Sequence, residues 1–164
     1  MAYNYKKFNN TLSSNLIRNK ATDFENMSRL VKPYFDEIGI PLGFAGYKKT
    51  LKDYVYSDNF DLDGLFKLTK DLAMWVNYMG EILALTEFLY LKCDNKKRYF
   101  ESFNISEDNI KAFNELKETQ IRHSRLKLYL KHMEIQFKLF KTCFYNVNKT
   151  YSESLGSYIY RSCD

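Results

Sequence analysis

The chain has 164 residues, 27% charged and 45% hydrophobic, which excludes a disordered chain and fits one domain of ordinary size. Its formal net charge is +5, and the excess is local: residues 120–149 hold Arg122, Arg125, Lys127, Lys131, Lys138, Lys141 and Lys149 against Glu134 alone, or +6, leaving −1 for the rest. Cys93, Cys143 and Cys163 are odd in number and far apart, which excludes a disulfide framework and a cysteine metal knuckle, and the polar residues 1–10 lack the apolar stretch of a signal peptide, so reduced thiols in a cytoplasm are expected.

The aromatic content is high, with 14 Tyr and 13 Phe but a single Trp, Trp75. Lys, Asn, Tyr, Phe and Ile share AT-rich codons, so a low-GC genome, such as that of a bacteriophage or other mobile element, accounts for most of it. Aromatic stacking on a ligand is the lesser reading.

In chain order, Tyr5, Phe8, Leu12 and Leu16 recur at helical spacing over 3–18. Thr22 and Glu25 fit a capping box, predicting a second helix from there to about Ile38 with Leu30, Val31, Tyr34, Phe35 and Ile38 inward and a kink or split at Pro33. Residues 39–46 hold three of the six glycines and one of the two prolines, a loop. A short helix over 47–57 follows, with Leu51, Tyr54 and Val55 inward, and a turn at 57–59.

The strongest signal is a pair of long helices. The first starts near Asp61 or Asp63, either of which can cap it, and carries Leu65, Leu68, Leu72, Trp75, Met79, Ile82, Thr86 and Leu89 at alternating steps of three and four before ending over 93–99. The second starts at the cap of 106–108, and its seam reads Leu126, Leu130, Met133, Phe137, Phe140, Phe144, Val147 and Tyr151. About a dozen residues of linker separate them, which predicts an antiparallel hairpin. Asn77, Glu81 and Glu87 inside the apolar run 72–91 argue against a membrane span, since each central carboxylate would cost roughly 2.5–3.5 kcal/mol to insert. Each long helix also has a second apolar face, Ala73, Gly80 and Ala84 on the first and Leu128, Ile135 and Leu139 on the second. Two apolar faces call for two neighbours, so a protein partner or a homo-oligomer is expected.

The expected fold is therefore all-α: an elongated, coiled-coil-like helical bundle dominated by an antiparallel long-helix hairpin over 61–155, with shorter helices and the Gly/Pro loop in 1–57, as a single domain over 1–164.

The candidate site is a basic stripe. At about 100° per residue, Lys127, Lys131, Lys138, Lys141 and Lys149 fall within about 40° of one line on the second helix, and Tyr145 lies on it too. Ammonium groups on one face suit a phosphate backbone, whose binding is driven by counterion release, and the tyrosine could stack on a base. The competing reading is a solvated flank whose lysine stems cover apolar neighbours. Arg122, Arg125 and the segment 96–98 either extend the track or pair with acids such as Glu115 and Glu118. His123 and His132 are nine residues apart on different helix faces, so no metal site is expected. Glu81, Glu87 and Glu134 are the carboxylates expected to be partly buried, but no Glu-x-x-His motif accompanies them. Walker spacing fails at 46–50, and neither a nucleophile elbow nor a Cys–His pairing is evident.

The sequence therefore reads as a non-enzymatic binding protein without cofactor, whose partner is nucleic acid, with a protein-protein inhibitor or adaptor as the alternative.

Overall fold

The computed structural model describes residues 14–103 and 109–162, with the side chains of 24–103 and 109–160. Four α-helices follow in order: α1 Ser14–Asp36, α2 Tyr47–Val55, α3 Leu62–Ser102 and α4 Ile110–Ser162, with a 3-10 turn over Ser57–Asn59. The fold is all-α, and the two long helices pack closely as a hairpin. The expected start at Tyr5 and Phe8, and the cap over 106–108, lie outside the described residues.

The expected break at Thr22 does not occur. α1 runs through Thr22 and through Pro33, so the capping-box residues are interior to a helix. Pro33 lacks an amide proton, but its own carbonyl still accepts from Glu37 N at 3.1 Å. The helix stops soon after, where Gly39 takes the left-handed conformation at φ 73°. Ile40 N donates to Phe35 O at 3.0 Å and Gly39 N to Asp36 O at 3.0 Å, the paired bonds of a Schellman cap. A Cβ in that conformation crowds its own carbonyl, so Gly39→Ala should lower stability by roughly 1–2 kcal/mol, read as a shift in the urea midpoint.

α3 opens on one of the two expected caps: Asp61 Oδ1 accepts from Gly64 N at 2.8 Å. It continues past 93–99 to Ser102, and within that stretch Arg98 pairs with Asp94 at 2.8 Å and Lys97 with Glu101 at 3.7 Å along the helix. α4 is capped by Asn109, whose Oδ1 accepts from Ala112 N at 3.2 Å.

Contacts divide the described chain into two compact units. The first comprises 14–25, 43–77 and 138–162. Its core is aromatic: Tyr47 of α2 lies 5.5 Å from Phe24, 5.7 Å from Trp75 and 5.4 Å from Phe140, and Trp75 stacks on Phe140 at 5.6 Å. The indole N–H donates to Thr50 Oγ1 at 3.1 Å, which leaves neither polar group unpaired. Phe66 meets Tyr151 and Trp75 meets Phe140, so α3 ascends as α4 descends. On the other flank Asn146 Nδ2 donates to Tyr54 OH at 3.2 Å, placing α2 beside α4.

The second unit comprises 26–42, 78–103 and 109–137. Phe137 comes within 3.4 Å of where a Cβ on Gly80 would stand, so a ring rather than a second backbone uses that small residue. Tyr90 lies against His123, and Cys93 Sγ donates to Thr119 O at 3.4 Å, again antiparallel. α1 covers the other side of α4: Phe35 packs edge-on against Tyr129 at 6.1 Å, and Ser28 Oγ donates to Tyr129 OH at 3.3 Å.

All eight seam residues of α3 are buried, none more than 6% exposed. The hydroxyl of Thr86 is satisfied by donating to Ile82 O at 2.6 Å. The seam of α4 is displaced. Leu126, Met133, Phe140 and Val147 are buried, but Leu130, Phe137, Phe144 and Tyr151 are half-buried, while Tyr129, Gln136 and Cys143 are buried in their stead. The cause is the second helix on that flank, α1 in one unit and α2 in the other. On α1, Val31 and Phe35 are buried as expected, whereas Leu30 is 46% exposed and Ile38, past the helix end, 36%. On α2, Leu51 is buried but Tyr54 and Val55 are half-buried.

Candidate nucleic-acid interface

Every residue of the expected stripe faces solvent. Lys127 and Lys131 in the second unit, and Lys138, Lys141, Tyr145 and Lys149 in the first, are all exposed. They are outside the core because both buried flanks of α4 lie opposite, so a long polar side chain on this face costs nothing in desolvation. Among the described residues Lys127, Lys131, Lys138 and Lys141 have no ion-pair partner, whereas Lys149 stands 3.9 Å from Glu153 with both side chains about half exposed. Such a pair contributes little and exchanges readily for another anion.

The other cations that could have lengthened the track are engaged elsewhere. Arg122 does not pair with Glu115 or Glu118; it bridges Glu37 of α1 at 2.7 Å and lies 4.5 Å over the ring of Tyr34. Arg125 donates to Tyr34 OH at 3.2 Å. These contacts line a cleft of about 620 Å³ in the second unit, with Ile38, Leu89 and Ile121 among its apolar walls and Glu115 and Glu118 at its margin. Its lining mixes cations with carboxylates. Arg98 and Lys97 are also paired with carboxylates, whereas Arg125, held only by a neutral hydroxyl, keeps its charge beside those of α4's lysines.

The expected burial of Glu81, Glu87 and Glu134 is not found; all three are exposed. Asp94, in the polar stretch 93–99 expected to end the first long helix, is a half-buried carboxylate instead. Its Oδ1 lies 2.9 Å from His123 Nε2, but off the ring's N–H direction, so Nε2 has no aligned hydrogen bond. The contact is an ion pair when the imidazole is protonated. Part of the signal was present, as His123 falls on the upstream continuation of the α4 seam, but Asp94 stands one residue beyond the continuation of the α3 seam at Cys93, and their register emerges only when the hairpin closes. No group of three or more His, Cys, Asp or Glu among the described residues could hold a metal ion. No described helix is long and apolar enough to cross a membrane.

Of the described thiols, Cys93 and Cys143 are free and buried. Burial pushes the Cys143 thiol up to about 12, against a smaller opposing effect of its hydrogen bond with Tyr54. Cys143 is thus a packing residue and not a nucleophile.

No family model, no curated protein and no solved structure matches this chain.

Proposed function

We propose that this is a non-enzymatic, cytoplasmic nucleic-acid-binding protein, an accessory factor of nucleic-acid metabolism encoded by a phage or other mobile element, and that the lysine face of α4 holds phosphates. The observation that carries this is the exposure of Lys127, Lys131, Lys138 and Lys141 on one helix face without an ion pair among the described residues. Lysine supplies a point charge and no base-edge readout, so sequence preference is weak. Binding releases condensed counterions, and the logarithm of affinity falls with the logarithm of salt by roughly 0.7–0.9 per phosphate contacted. The test is a fluorescence titration of labelled oligonucleotides at two salt concentrations. Reversing Lys131 and Lys138 together to Glu should abolish binding with helicity unchanged, because both side chains are exposed. Binding indifferent to the double reversal would sink the reading.

A second reading, docking of a partner protein or of another copy of the chain, has its own observation. Ile121, Leu128 and Ile135 stand at heptad spacing on α4 of the second unit, 46–52% exposed, so the apolar face expected at Leu128 and Ile135 is uncovered there, while Leu139 is buried. Absence of any oligonucleotide binding at low salt would favour this reading, in which the positive charge steers association.

A further inference from the structure

In the first unit the face of α4 that carries Lys138, Lys141 and Lys149 also carries two aromatic rings presented to solvent. Tyr145 is 69% exposed and Tyr160 is 82% exposed. At about 100° per residue Tyr160 falls within about 60° of Tyr145 and about 20° of Lys149 on the helix circumference. Tyr145 and Tyr160 are fifteen residues apart, which is roughly 22 Å along the axis, with Lys149 between them. Neither ring has an aromatic or hydrogen-bonding partner among the described residues, in contrast to Tyr47, Tyr54 and Tyr129, whose rings or hydroxyls are engaged in packing. Gly156 lies on the same side of the helix, and nothing stands within 4 Å of where its Cβ would be, so the surface is open at that position between Lys149 and Tyr160. The one carboxylate of this stretch of α4 is Glu153, already beside Lys149.

We infer that this face binds single-stranded nucleic acid in preference to duplex, with the bases of the strand stacking on Tyr145 and Tyr160 while Lys138, Lys141 and Lys149 hold its phosphates. The inference rests on the nucleic-acid reading above and adds the ligand class. A duplex hides the faces of its bases within the stack and offers an exposed ring only their edges and the sugar-phosphate backbone. A single strand offers base faces, and every base has one, so stacking adds affinity without adding sequence preference. The lysines alone do not discriminate in this way, since phosphates are present in both.

The experiment uses the full chain and anisotropy of labelled oligo-dT, oligo-rU and a hairpin DNA duplex of equal phosphate number, at low and moderate salt. Oligo-dT and oligo-rU separate DNA from RNA as the source of the strand. Single strands should bind at least tenfold more tightly than the duplex. Tyr145→Ala and Tyr160→Ala should each weaken single-strand binding by about fivefold or more, the low end of what one stacked base contributes, and leave duplex binding unchanged. Tyr145→Phe should restore it, because the ring rather than the hydroxyl does the stacking. Both tyrosines are exposed, so circular dichroism of the variants should match the parent. Equal affinity for strand and duplex, or alanine variants without effect, would overturn this inference while leaving the phosphate track in place. No binding to any of the three would overturn both.

Discussion

Replacing Phe140 by alanine should destabilise the protein by about 3–5 kcal/mol, the range for a fully buried phenylalanine whose neighbours cannot collapse into the space. Phe140 is fully buried. Its ring is stacked on Trp75 at 5.6 Å and lies 5.4 Å from Tyr47, and both neighbours are themselves held. Trp75 is tied through its N–H to Thr50, and Tyr47 is wedged against Phe24 and Phe44. The cavity therefore persists, and with it the loss of contacts with two rings. Phe137, one turn away and at the centre of the periodic seam, is only half-buried, so Phe137→Ala should cost distinctly less. Urea unfolding of both variants reads the difference, with unchanged slopes confirming that only native stability moved. A loss below about 1 kcal/mol at Phe140 would place it outside the core.

Stability should also fall steeply as the pH rises above about 9. Burial pushes the Cys143 thiol from near 9 up to about 12, and burial likewise raises the phenols of Tyr47 and Tyr129 above their ordinary value near 10. In the unfolded chain these protons leave at the ordinary values, while the native state keeps them. The native state thus binds more protons throughout this window, and stability decreases with pH. The contribution is complete below pH 9 and is lost progressively toward pH 12. At 1.36 kcal/mol per pH unit, Cys143 alone accounts for about 4 kcal/mol across the window, with the two tyrosines adding to it above pH 10. Urea midpoints measured from pH 7 to 11 check the slope. Cys143→Ala should reduce the slope most in its lower part, near pH 9, where the phenols are still mostly protonated in both states. A midpoint constant from pH 8 to 11 would show that these groups are not sequestered from water.

The periodic spacing of apolar residues was enough to establish the all-α class and the long hairpin, because a sustained three-four alternation leaves a helix one face to bury. On α3 it was enough for the whole seam, all eight positions of which are buried, and where α2 also reaches that face, at Trp75, the added contact falls on the seam itself. Local chemistry likewise located the Asp61 cap and the glycine loop. The exposure of the lysine face was also readable, as charged side chains on a two-sided helix have one place to go.

On α4 the same alternation marked a stripe but not its centre. Tyr129, Gln136 and Cys143 displaced Leu130, Phe137 and Phe144 from full burial because α1 and α2 cover the adjoining flank, and a linear pattern does not record from which side a second helix arrives. Local signals were also overruled. The capping box at Thr22 and a split at Pro33 would have cut α1, but the burial of Phe24, Val31 and Phe35 along one helix outweighs a cap and a missing donor that are each worth a few kcal/mol at most. Which charges remain unpaired was likewise decided by tertiary structure alone. Arg122 and Arg125 look like lysine's companions in the sequence, yet α1 brings Glu37 and Tyr34 to them. Partners more than eighty residues apart in the chain meet only when the helices pack.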